Sequence, residues 1–94
     1  MAVSYSVPLP RGKITTGEIL DGDKDGLNTI YDTEYNFIWD LGGDNRYFEL
    51  FRNGQLLSLG DQYVVRISNG VGIGVRVFRP LRPHENLTAN FIRT

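Results

Sequence analysis

The chain has no cysteine. A disulfide framework, a thiolate zinc site and a thiol nucleophile are all excluded, and redox chemistry does not reveal the compartment. Histidine is represented only by His84, beside Pro83 in an expected loop. There is no Gly-x-Ser-x-Gly, no His-Glu-x-x-His and no phosphate-cradling glycine loop. Gly70-Val71-Gly72-Ile73-Gly74 is glycine-spaced, but it follows a turn and opens no helix. No apolar run reaches the roughly eighteen residues of a membrane helix, and the start lacks the charged-then-apolar pattern of a secretory signal. The expectation is a soluble, non-catalytic protein with no membrane partner.

Lysine is scarce. Lys13 and Lys24 are the only two among ten basic residues, and the other eight are Arg. Arg-rich, aromatic-containing surfaces suit protein interfaces, because the planar guanidinium binds carboxylates through two parallel hydrogen bonds. The net charge of −1 argues against nucleic-acid binding. The charge is unevenly spread: residues 1–49 hold nine acids against four bases, and residues 50–94 hold six bases against two acids. Such polarity suits either packing between copies or two halves that neutralise each other within one fold.

With 94 residues the chain makes one domain. What is abundant is strand pattern and turn chemistry. Asn53-Gly54 and Asn69-Gly70 each follow a stretch of alternating or β-branched apolar residues, Phe48–Arg52 and Tyr63–Ser68. A two-residue hairpin needs positive φ at both turn positions, which Asn-Gly tolerates best. The two turns suggest a three-strand antiparallel meander. Gly60-Asp61 bends the chain between them.

Further strands are expected over one or two segments of Asn28–Asp40, over Val71–Arg79 and over Leu87–Ile92. Lys13–Leu20 reads as a strand or a short helical turn. No long segment has helical period. The expected fold is all-β: an antiparallel sandwich or barrel of about seven short strands over residues 13–94. Its expected core includes Leu57, Tyr63, Val65, Ile67, Ile73, Val75 and Phe91, with Trp39 more naturally inside than out. Gly72 and Gly74 on one side of their strand suggest either a close approach or, more commonly, a flat strand.

Residues 1–12 read as an extended arm. Val3, Tyr5, Val7 and Leu9 alternate, and Pro8 and Pro10 remove two backbone donors, so the arm belongs at an edge or outside the sheet. It is either a first edge strand or a segment that docks on a neighbouring subunit. With Arg76, Arg79 and Arg82 it forms the candidate interface.

Asp21-x-Asp23-x-Asp25-Gly26, with Asp32 at the twelfth position, has the spacing of a calcium loop. Alternate carboxylates could converge on a hard cation there. The flanks read as strand or coil rather than helix, and Asn28 stands where an apolar residue is expected. A plain acidic turn is the competing reading.

The stretch Phe51–Tyr63, with Asn53, Gly54, Leu57, Gly60 and Tyr63 at its fixed points, resembles a β-module of tailed-bacteriophage virion proteins. Asp25-Gly26-Leu27-Asn28-Thr29-Ile30-Tyr31 is similar to the opening of that module, and Leu87–Ile92 to its closing strand. The resemblance spans about residues 18–93. It departs at Asp61, which lies two positions before Tyr63 rather than directly before it. The resemblance implies a virion component with no catalytic residue, in which Asp25 and Gly26 belong to a structural turn. It further suggests a capsid decoration or cement protein, oligomeric, assembled in the host cytoplasm and bound to the major capsid protein or other virion proteins. A tail, baseplate, fibre or head–tail joining component is the same-class alternative. A calcium-dependent carbohydrate-binding module using the acidic loop and Trp39, or a small inhibitor of a host enzyme, are the alternatives from other classes.

Overall fold

A computed structural model describes residues 13–39 and 47–94. The expected arm, residues 1–12, lies outside the described residues. Among the described residues there are seven strands: β1 (Lys13–Ile19), β2 (Ile30–Phe37), β3 (Phe48–Arg52), β4 (Gln55–Leu56), β5 (Tyr63–Ser68), β6 (Val71–Val77) and β7 (Leu87–Arg93). All pairings between strands are antiparallel. The all-β expectation holds, and Lys13–Leu20 resolves as a strand.

Both Asn-Gly turns form as expected. Asn53 and Gly54 have φ of 52° and 81°, and Asn69 and Gly70 have 52° and 80°. They close Arg52 on Gln55 and Ser68 on Val71. Gly60, with φ of 91°, makes the bend between the hairpins. There the Gly60 N–H donates to the Tyr63 carbonyl at 2.7 Å.

The meander does not form. The strand order is β4-β3-β7-β2-β6-β5, with β1 on the other side of β7. The two hairpins therefore stand at opposite ends of the order, separated by β7 and β2. β3 lies along Leu87–Phe91 of β7, whereas β2 meets β7 only where Phe37 pairs with Arg93. The sheet thus has two limbs, β1-β7-β3-β4 and β2-β6-β5. They join at that corner and at the reciprocal 2.8 Å backbone bonds between Asp21 and Asp32.

The limbs share one core. Phe48, Leu50, Leu87, Ala89 and Phe91 face it from the first limb, and Tyr31, Phe37, Tyr63, Val75 and Val77 from the second. Phe48 is the hub: its ring lies 4.6 Å from Phe37, 5.9 Å from Phe91 and 6.2 Å from Tyr63, centre to centre. Aromatic rings at these separations attract beyond the burial of their area.

Of the expected core, Tyr63, Val75 and Phe91 are buried, and Leu57 and Val65 pack at its rim. Ile73 is only half-buried. Ile67 is a correction: it is 36% exposed. β5 and β6 slip register between Arg66 and Ile67, leaving Ile73 as the extra residue. A bulge re-aims the strand end and takes it off the core. The glycines of β6 are a second correction, because close approach decides them. The Phe37 ring occupies the space where a Cβ of Gly72 would stand, and the Tyr31 carbonyl occupies that of Gly74.

Candidate functional site

The charged residues that sequence spacing could not connect form the best-organised polar site. Arg52, at the end of β3, and Glu85, in the loop before β7, are both buried. Arg52 Nε and Nη2 donate to the two Glu85 carboxylate oxygens at 3.1 and 2.6 Å. Its Nη1 and Nη2 also donate to the carbonyls of Arg79 and Pro80, at 2.6 and 2.8 Å. Glu85 further accepts from Asn53 Nδ2 and from the Arg82 N–H. Hydrogen bonds from Arg52, then from Arg82 N–H, hold the Glu85 carboxyl down from 4.5 to about 2. A buried guanidinium and carboxylate persist only when their donors and acceptors are satisfied, as here. The pair fastens the Arg79–Glu85 loop, with the buried Leu81, onto the first hairpin. Its role is positional. No motif signals it, because its two members lie 33 residues apart.

Hydrogen bonds within the acidic loop close it. Asp25 Oδ1 accepts the N–H groups of Asn28 and Leu27, at 2.8 and 2.9 Å, which lowers its pKa. Tyr31 Oη and Asn28 Nδ2 both donate to the Asp23 carbonyl. Asp32 pairs with Arg66, and Asp21 contributes backbone bonds to Asp32. The twelve-residue spacing does not bring these four carboxylates onto one point. Among the described residues no group of three or more acidic, His or Cys side chains is placed to hold a metal. Trp39 is buried, so it is not available to stack on a sugar.

Arg76, Arg79 and Arg82 are exposed. Arg76 stands on β6 between Ile30 and Val64. Arg79 borders an open cleft of about 260 Å³ lined by Arg52, Leu57, Asp61, Gln62 and Phe78. That is slightly below the roughly 300–1,000 Å³ of small-molecule sites. His84 is exposed. Val3, Tyr5, Val7 and Leu9, the rest of the expected interface, lie outside the described residues.

Sequence reasoning missed the outer face of the first limb. Ile14 pairs with Ile92, and Tyr47 immediately precedes Phe48, which pairs with Phe91; Ile19 pairs with Thr88, Thr88 with Phe51, and Phe51 with Leu56. These make two apolar rows across the strands. Ile14, Ile19 and Leu56 are 71%, 74% and 60% exposed. Between the rows, Glu49 accepts from Tyr47 Oη at 2.8 Å and from Asn90 Nδ2 at 3.2 Å. The alternation of β7 could have indicated this face, since Thr88, Asn90 and Ile92 must point away from the core.

Comparison with protein families, with curated proteins and with solved structures finds no match to this chain.

Proposed function

We propose that this protein is a non-catalytic structural component of a bacteriophage virion, a decoration or cement protein that binds the capsid shell in many copies. The observation that carries the reading is the apolar outer face of β1-β7-β3-β4. Exposed apolar side chains gathered on one sheet face suit a docking surface, and here Ile14, Ile19 and Leu56 stand in two rows that flank Glu49 and Asn90. The reading draws its particular setting from the Asn53-Gly54 module and its resemblance to virion proteins. Weak contacts repeated over many copies stabilise a shell without any single strong site.

Purified protein mixed with assembled shells tests this. The proposal expects the protein to sediment with shells at saturable stoichiometry and Ile19→Asp to abolish that. Retention of one free host protein from lysate, with no binding to shells, would favour an inhibitor instead. Binding to isolated tails alone would move the protein to a tail, baseplate or joining role.

A further inference from the structure

We infer that Glu18 is a proton-operated latch between the two limbs, fastened to β2 when its carboxyl holds a proton and released when the carboxyl ionises. The inference concerns the joint between the limbs and holds whatever the outer face binds.

Two irregularities bring the latch together. On β1, Thr15 stands opposite Phe91 and Glu18 opposite Ala89, so Thr16 and Gly17 share Asn90. This is a bulge, in which Gly17 takes a left-handed φ of +67° and its N–H donates to Asn90 Oδ1 at 2.8 Å. Strict alternation from Thr15 would turn Glu18 away from the core. The extra residue turns it inwards, onto the side of the fully buried Ala89. On β2, Asp32 pairs with Gly74 and Phe37 with Gly72, so residues 33–36 stand against Ile73 alone. They bow out of the ladder. Within the bow, Thr33 Oγ1 donates to the Tyr35 carbonyl at 2.7 Å, and the Arg93 guanidinium lies 4.2 Å from the centre of the Tyr35 ring.

Glu18 reaches this bow from β1. Its Oε2 accepts the Glu34 N–H at 2.8 Å. Its Oε1 is buried without a hydrogen-bond partner, the one such side-chain atom among the described residues. The charged group that bears on it from β2 is Glu34, of the same sign. β7 sets Ala89 opposite it and Asn90 beside it, neither of them titratable, and Arg93 is engaged over Tyr35. The ion pairs of the described residues, Arg52–Glu85 and Arg66–Asp32, do not include it. An ionised Glu18 therefore keeps a charge, with one bare oxygen, out of water and without a cation. A protonated Glu18 sheds that charge and still accepts the Glu34 N–H through its carbonyl oxygen.

Burial raises the Glu18 pKa above its ordinary 4.5, outweighing the Glu34 N–H that lowers it, and the Glu34 charge pushes the same way as burial. The folded chain thus holds this proton more tightly than the unfolded chain. The contribution of the latch is fully present below about 4.5 and is lost as pH rises through the raised pKa. This is the reverse of Glu85, whose pKa is lowered. Once ionised, the side chain gains by turning to water, and the Glu34 N–H loses its acceptor.

Amide exchange at about pH 4 and about pH 7, each corrected for the rate of an unstructured chain at the same pH, tests the latch. The expected result is a fall of at least about threefold in protection at the Glu34 N–H from the lower pH to the higher. The N–H groups of Asp32 and Ile38, bonded at 2.8 Å to the carbonyls of Asp21 and Ile92, should keep their protection. Glu18→Gln cannot ionise and should abolish the fall. In the unaltered protein the Glu18 carboxyl carbon should titrate above 4.5 by NMR. Unchanged protection at Glu34, an equal fall at all three N–H groups, a fall that persists in Glu18→Gln, or a carboxyl carbon that titrates at or below 4.5 would each overturn the inference.

Discussion

Arg66 reaches Asp32 by passing its guanidinium across Gly74. The three residues form one row on the outer side of the second limb, Arg66 on β5, Gly74 on β6 and Asp32 on β2. Gly74 is required because the Tyr31 carbonyl already fills the space of a Cβ, and Arg66 Nη1 would stand 3.1 Å from it. Gly74→Ala is expected to destabilise the fold by about 1–3 kcal/mol, the usual cost of overpacking. Asp32→Asn should cost less than about 1 kcal/mol, because the ion pair is largely exposed to solvent. Urea denaturation of the two variants checks the order. A larger loss for Asp32→Asn would mean that the charge, and not the close approach, holds this row.

Gly54 presents the opposite case. Nothing lies within 4 Å of the position its Cβ would take, but its φ is +81°. The constraint is the backbone alone. Gly54→Val should cost more than about 1 kcal/mol, since a β-branched residue at positive φ is strained. Equal melting temperatures for variant and parent would contradict the turn's role in setting register.

The Arg52–Glu85 pair gives a pH dependence of defined sign. Glu85 binds its proton less tightly in the folded chain, at about 2, than at its ordinary 4.5. Its contribution is therefore fully present above about 4.5 and is lost as pH falls towards 2. Arg52→Met removes the main cause. It should lower the melting temperature at pH 7 by more than about 10 °C, because the carboxylate left behind stays buried. It should also flatten the acid limb of stability against pH. An unchanged acid limb in Arg52→Met would assign the acid sensitivity elsewhere.

How much of this was legible follows from what each signal encodes. Asn53-Gly54 and Asn69-Gly70 announce both turns, because positive φ at two adjacent positions leaves few residue choices. Tyr63, Val75 and Phe91 were legible as core from period two. Period two states which side of a strand faces inward, but not which strand lies beside it. The placement of β7 and β2 between the hairpins was therefore hidden, and so was the contact of Arg52 with Glu85. Ile67 was misread because the bulge at Ile73 breaks the period just where the pattern looked regular. The outer apolar face needed both the alternation of β7 and the identity of its neighbours β1 and β3.

The acidic loop yields a prediction about metal. Asp25 holds the backbone N–H groups of Leu27 and Asn28, and that is the work of an Asx turn. Millimolar calcium should leave the melting temperature unchanged to within about 1 °C, against the 4–8 °C that about 1 kcal/mol of linkage gives a domain of this size. Asp25→Ala should lower it with or without calcium. A calcium-dependent rise that Asp25→Ala removes would restore the loop as a cation site.

We propose that this β-block works by attachment to a particle through its apolar outer face. Electron microscopy of particles assembled with and without the protein tests it most directly. The expected density sits on the shell at regular positions, with Ile14, Ile19 and Leu56 at a protein contact. Particles identical in both preparations, with the protein left free in solution, would contradict it.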